Sequence, residues 1–279
     1  MCATAVFLAA DGRFVATELA RGPWDPGAQH GGAPAALIMR ALEQLPATEG
    51  LLLSRVTYEF LRPAPLGELS VRVEIARPGR RVQLLEGSLQ TASGVEVVRA
   101  RALQVRAADA GPLSPKPAAG TAADAGPLSP EPAAGPLPLG PEHGRVSDIS
   151  APHRPMFAPD AIEVRFVAGT FQDAGPATAW FRLRVPLVDG EQPTALQRLA
   201  AAADFGNGIS RTLSWDEHVF INPDLTLYIR RPPVGEWIGL QSQTRIAAGG
   251  VGLSESALYD ERGALGHATQ ALLVAPRRR

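Results

Sequence analysis

The feature that most restricts how this chain can fold is that it contains itself twice. A shift of 168 positions lays Arg62-Pro63-Ala64-Pro65-Leu66-Gly67-Glu68-Leu69 on Arg230-Arg231-Pro232-Pro233-Val234-Gly235-Glu236-Trp237. A shift of 169 then lays Gly94 on Gly263 and Ala102-Leu103-Gln104-Val105 on Ala271-Leu272-Leu273-Val274. The one-residue slip is what a turn insertion produces. Two copies of this length are too few for a solenoid, so the pattern predicts one domain used twice. Between the copies, Ala107 to Pro141 holds nine of the 26 prolines among Ala, Gly and Ser, and residues 107–120 recur at 122–135 with Glu131 replacing Lys116. Such a segment cannot bury enough surface to fold and reads as a duplicated, polyproline-like tether. The predicted organisation is a domain at residues 1–106, a linker at 107–141 and a second domain at 142–279.

Both copies follow one local grammar. Gly31-Gly32 opens a helix from Ala33 to Glu43, with Pro34 tolerated in its first turn. That helix is apolar nearly all round and should be buried. Strand-like runs follow at 51–61, 69–76, 82–91 and 95–106, where Val71, Val73 and Ile75 alternate with Arg72 and Glu74. The second copy repeats this with a helix from Thr194 to Phe205 and strands near 219–230, 237–246, 253–259 and 264–274; a further strand starts at Trp180. A buried helix followed by an antiparallel meander, twice, predicts an α+β fold whose sheet wraps its helices.

Composition removes several classes of function. The formal net charge is −1, which argues against nucleic-acid or membrane-surface binding. No run of 18 apolar residues could span a bilayer, and the start lacks the charged region of a secretion signal. Cys2 is the single cysteine, which excludes internal disulfides and suits a reducing cytoplasm. No histidine pair has metal-ligand spacing and no Gly-x-Ser-x-Gly elbow exists, so neither a metal cofactor nor an α/β-hydrolase mechanism is expected.

Several segments, taken in order, carry a resemblance. They are Trp24 with His30-Gly31-Gly32-Ala33-Pro34-Ala35-Ala36-Leu37, then Tyr58-Glu59-Phe60-Leu61-Arg62-Pro63, then Ala203-Asp204-Phe205, Leu227-Tyr228-Ile229-Arg230-Arg231-Pro232 and Gly266-His267-Ala268-Thr269-Gln270. Together they resemble the acyl-CoA thioesterase II-like family, which implies a double hotdog fold and an acyl-CoA substrate with no cofactor. In that family an Asp on the second helix, a Thr or Ser on the next strand and a Gln on the last strand carry the chemistry. The resemblance places them on Asp204, Asn222 and Gln270. Asn222 departs from the family's hydroxyl, and Thr226, four residues along and expected on the same sheet face, is the alternative.

Thioester hydrolysis needs a water aimed at the carbonyl carbon, a proton acceptor and donors for the oxyanion. Asp204, at the end of an alanine-rich helix, stands where the helix dipole disfavours a carboxylate, so it is a candidate base. Gln270 and Asn222 could orient the water. The N–H groups at Gly31-Gly32 could polarise the carbonyl, and His30 reads as a cap or a substrate-lining side chain. By the two shifts, Gln270 corresponds to Arg101 and Asn222 to Ser54, so one site is expected rather than two. Arg62, Arg230 and Arg231 are candidate contacts for coenzyme A phosphates. Two other functions compete. An enoyl-thioester hydratase would resemble Asp-x-Asn-Pro-x-His, but Phe220 and Leu225 flank Asn222-Pro223 in place of the Asp and His. A non-catalytic acyl-thioester-binding or assembly protein would explain Asn222. Pairing with a second copy to give a homo-oligomer is compatible with either.

Overall fold

The computed structural model describes residues 4–46, 48–107, 137–147 and 154–277. The duplicated stretch of the linker lies outside the described residues. The first half contains β1 (Phe7–Ala10), β2 (Arg13–Ala16), α1 (Gly32–Glu43), β3 (Leu51–Phe60), β4 (Gly67–Arg77), β5 (Val82–Thr91) and β6 (Glu96–Arg106). The second contains β7 (Arg145–Val146), β8 (Ile162–Ala168), β9 (Ala177–Leu183), α2 (Ala195–Ala203), α3 (Gly206–Ile209), β10 (His218–Ile221), β11 (Asp224–Ile229), β12 (Ile238–Ile246), β13 (Val251–Asp260) and β14 (Gly263–Pro276). The hairpin β1–β2 and strands β7 and β8 have no counterpart in the sequence reading. The first two are only four residues each, too short for alternation to register.

All strands join one sheet, in the order β1-β2-β4-β5-β6-β3-β11-β14-β13-β12-β9-β8-β7, with β10 paired to β14. The order reads as one half followed by its reflection. At the seam Thr57 on β3 faces Thr226 on β11, and the Thr226 hydroxyl donates to that of Thr57 at 3.1 Å. Thr57 and Thr226 are thus counterparts about the seam between the halves.

Each half lays its helix against the inner face of its own strands, the arrangement the resemblance implies. The helices run antiparallel, with the start of α1 beside the end of α2 and the end of α1 beside the start of α2. Alanines make this close contact possible: Ala33, Ala35 and Ala36 of α1 and Ala200, Ala201 and Ala203 of α2 have no exposed surface. With a neighbouring helix on one side and the sheet on the other, α1 has almost no solvated face, which is why its sequence is apolar nearly all round.

One irregularity matters for function. Ile221 faces Leu273, and an unbroken ladder would then bring Thr226 opposite Ala268; it faces Thr269 instead. Asn222-Pro223 therefore contributes an extra residue, a bulge suited to proline, which cannot donate to a ladder. The Ala271 N–H beside it is taken by the Asp224 carboxylate at 2.7 Å. β3 bulges likewise at Ser54, where Leu53 faces Gln104 and Arg55 faces Leu103.

These bulges correct two expectations. Tyr58 faces Ala100 and Leu227 faces Ala268, so two residues further along Gln270 matches Ala102, not Arg101. Pro223 takes the place of Ser54, and Asn222 matches Leu53. A bulge also flips the alternation of side chains, so Thr226 does not share a face with Asn222.

Candidate active site

Asp204 ends α2, where helical backbone gives way to the short helix α3. Its side chain is almost fully buried, and neutral groups surround its carboxyl. Asn222 Nδ2 donates to Oδ1 at 2.8 Å and Gln270 Nε2 to the same oxygen at 3.2 Å. The second oxygen, Oδ2, lies 3.2 Å from His30 Nδ1. The Gly32 N–H also donates to the carboxyl. Burial dominates over these donors and raises the Asp204 carboxyl to about 7. The carboxyl therefore gains or loses its proton near neutrality.

The glycines at the α1 start are there because nothing larger fits. A Cβ on Gly31 would stand 2.7 Å from Asp204 Oδ2, and one on Gly32 would overlap the Ala201 carbonyl oxygen. The Gly32 N–H also donates to His30 Nδ1 at 3.1 Å, so it faces the protein rather than an open site. The His30 ring stacks on Phe205 with centroids 4.2 Å apart and lies 5.2 Å from Phe157. That burial pushes the imidazole down to about 3, and the ring is neutral.

Gln270 is held from its other end. Its Oε1 accepts the Asn207 N–H at 3.0 Å, and its Nε2 also reaches the Asp204 carbonyl at 3.3 Å. One amide thus ties the carboxyl of Asp204 to the first turn of α3. Gly206 makes room for it, since a Cβ there would meet Gln270 Oε1 at 2.9 Å and Ser256 Oγ at 2.7 Å. Asn222 bridges in the same manner, with Nδ2 also donating to the Asp224 carbonyl at 3.1 Å.

The structure therefore brings together Asp204, Asn222, Gln270, His30, Gly31 and Gly32, and leaves Thr226 at the seam, bonded to Thr57. Among the arginines, Arg231 is committed elsewhere: its Nη2 donates to Asp260 Oδ1 at 2.6 Å, and that carboxylate is buried. Arg62 donates to the Glu96 carbonyl at 3.1 Å. Sequence reasoning missed Asn207, Phe157 and the stacking role of Phe205. The Gly206-Asn207-Gly208 stretch after Asp204 signals a break in the helix, but no local pattern says that the Asn207 N–H meets a strand 63 residues away. Among the described residues no group of three His, Cys, Asp or Glu side chains could hold a metal, and no helix is long and apolar enough to cross a membrane.

A carboxyl that burial raises to about 7, held by two amide donors, thus lies where the start of α1 meets the end of α2. The domains that carry these residues each match a family model. Residues 20–105 match the family model of the acyl-CoA thioesterase N-terminal domain, and residues 136–274 match that of the C-terminal domain. The chain belongs to the acyl-CoA thioesterase family, with both of its domains. Among solved structures, a hotdog-fold protein of unknown function from Alicyclobacillus acidocaldarius is similar, with TM-score 0.67 and 17% identity over 99% of this chain and 97% of that one. A tesB protein of Mycobacterium avium subspecies paratuberculosis has TM-score 0.62 and 14% identity, covering 96% and 94% of the two chains. An acyl-CoA thioesterase II, TesB2, from Mycobacterium marinum has TM-score 0.59 and 16% identity, over 93% and 96%. At these identities the likeness shows the double hotdog fold. No curated protein sequence matches this chain.

Proposed function

We propose that this protein hydrolyses acyl-CoA thioesters to the free acid and coenzyme A, with Asp204 as the base. The observation that carries the reading is the Asp204 carboxyl: it is buried, near pH 7 in proton affinity, and held by Asn222 and Gln270 in a chain with both family domains. Water attacks the thioester carbonyl carbon while Asp204 accepts one of its protons. The tetrahedral intermediate collapses with cleavage of the C–S bond, and Asp204 returns the proton to the departing thiolate. A base matched to ambient pH suits both transfers.

Asn222 and Gln270 fix one carboxyl oxygen in place, which orients the other groups around the attacking water. Of the two N–H groups expected to polarise the carbonyl, Gly32 is engaged by His30 and Asp204. The Gly31 N–H is the one left to the oxyanion. Asn222 serves in place of the family's hydroxyl because an amide also donates a hydrogen bond, and its position at the bulge lets it reach Asp204.

The test is free thiol release from purified protein given acyl-CoAs of graded chain length. Hydrolysis of at least one, lost in Asp204→Asn and reduced in Gln270→Ala by about 10- to 100-fold, supports the assignment. Binding without release at any chain length would favour an acyl-thioester-binding protein.

A further inference from the structure

The geometry points to a second role for His30 beyond lining the site: it sets the proton affinity of Asp204 by presenting an unprotonated Nδ1 to the carboxyl oxygen Oδ2. This rests on the reading of Asp204 as the base. The deciding observation is the Gly32 N–H, which points at Nδ1 from 3.1 Å. A nitrogen that accepts this bond carries no hydrogen, so the imidazole holds its proton on Nε2. Yet the same Nδ1 stands 3.2 Å from Asp204 Oδ2. Two acceptors at that distance repel; the Gly32 N–H they share relieves part of this, and a proton on the carboxyl relieves more.

With His30 neutral and its ring packed between Phe157 and Phe205, a proton taken up by this pair goes to the carboxyl rather than to the imidazole. Protonated Asp204 donates to Nδ1 and gains a bond; ionised Asp204 meets a lone pair. Both effects raise the proton affinity of the carboxyl above what burial alone provides. The other groups on Asp204 act in the opposite sense and are all neutral: Gly32 N–H from α1, Asn222 from the bulge and Gln270 from β14. The nearby Asp224 carboxylate is turned to the Ala271 N–H. Toward α1 the neighbour across Gly31 is the Phe60 ring of β3, which carries no charge. His30 is thus the neighbour of Asp204 that acts as an acceptor, and its replacement should lower the proton affinity of the carboxyl without changing local charge.

The bond to Gly32 makes His30 act as an Asx-like cap two residues upstream, which Asn can imitate with its own carbonyl oxygen. His30→Asn keeps an acceptor in front of Oδ2, whereas His30→Phe fills the stacking space and removes it. The acid limb of the kcat/KM profile should fall in H30F by about one pH unit, with a lower plateau because a weaker base takes the water proton less readily. In H30N the limb should stay close to that of the parent. Nitrogen NMR of histidine-labelled protein should show Nδ1 bare and Nε2 protonated from pH 6 to 8. An unmoved acid limb in H30F, or a protonated Nδ1, overturns the proposal. Absence of any thiol release from the parent protein would instead defeat the hydrolase reading. The NMR tautomer and a carbon-13 titration of Asp204 in parent and variants would still decide the role of His30.

Discussion

The antiparallel helix pair has two ends, and they have been put to different uses. Where α1 starts and α2 ends, Asp204 is buried among amides and a neutral imidazole. Where α1 ends and α2 starts, the carboxylate is Glu43, exposed and serving as an anchor. It accepts from the Thr194 hydroxyl at 2.8 Å and from Gln197 Nε2 at 3.2 Å, at the N-terminus of α2 where the helix dipole favours an anion. Arg40 and Glu191 clamp the same end with a bidentate pair, the shorter bond 2.5 Å. The strands around the two ends differ in the same sense. The positions matching Asn222 and Gln270 are Leu53 and Ala102, which pack into the apolar core. A carboxylate at a helix junction is common to both ends; inner-strand amides to hold it are present at one. In the proposed reading the second hotdog therefore carries the chemistry, and the first contributes the helix start packed against Asp204.

The largest effect that would test this contrast is on activity. Asp204→Asn should reduce thiol release by about 10³-fold, in the range for losing a general base, while Glu43→Gln should change it by less than about twofold. Equal losses in the two variants would mean that the ends are functionally alike.

Stability should move the other way. The folded Asp204 carboxyl keeps its proton up to about pH 7, whereas an unfolded one keeps it only to about 4. The stability due to the protonated form is complete below the lower value and is lost as pH rises through the higher one. Above it the fold carries a buried charge, so Asp204→Asn should be more stable than the parent by roughly 2–4 kcal/mol at pH 8, with the gain vanishing near pH 4. Urea denaturation at the two pH values reads this directly; a gain that is equal at both would break the link to ionisation.

A smaller change is expected at the bulge. Asn222→Thr restores the hydroxyl usual in the family, and activity should stay within about fivefold of the parent if a single donor to Asp204 is what the position supplies. The smallest effect belongs to Thr226→Val, which removes one exchange between hydroxyls at the seam and should cost under about 1 kcal/mol with kcat/KM unchanged. A marked loss of activity there would return Thr226 to the site.

Most of the architecture was readable because it repeats. The duplicated Arg-Pro and Gly-turn segments, the all-round apolar α1 and the alternation in β4 are local patterns, and local patterns follow the periodicity of the backbone. That Asp204 and Gln270 belong together was also readable, through the ordered motifs around them, and the two side chains are hydrogen-bonded. The pairing of halves residue by residue was not. A constant shift in sequence takes no account of bulges, and the extra residues at Ser54 and Asn222-Pro223 moved the true counterparts of Gln270 and Asn222 to Ala102 and Leu53. The same extra residue carried Thr226 to the other face of the sheet.

The sequence by itself determined that one helix-and-meander domain occurs twice, that the two copies are joined by a proline-rich segment, and that a single carboxylate with an amide partner stands out in the second copy. These follow from spacing and composition, which a chain carries whatever its tertiary arrangement. Tertiary structure decided what that carboxylate is. Only the closing of α1 on the end of α2 buries Asp204, sets His30 Nδ1 against it, and brings Gln270 across from the last strand. Proton affinity depends on what surrounds a group in space, and these neighbours come from positions 30, 32, 222 and 270, far apart in the chain.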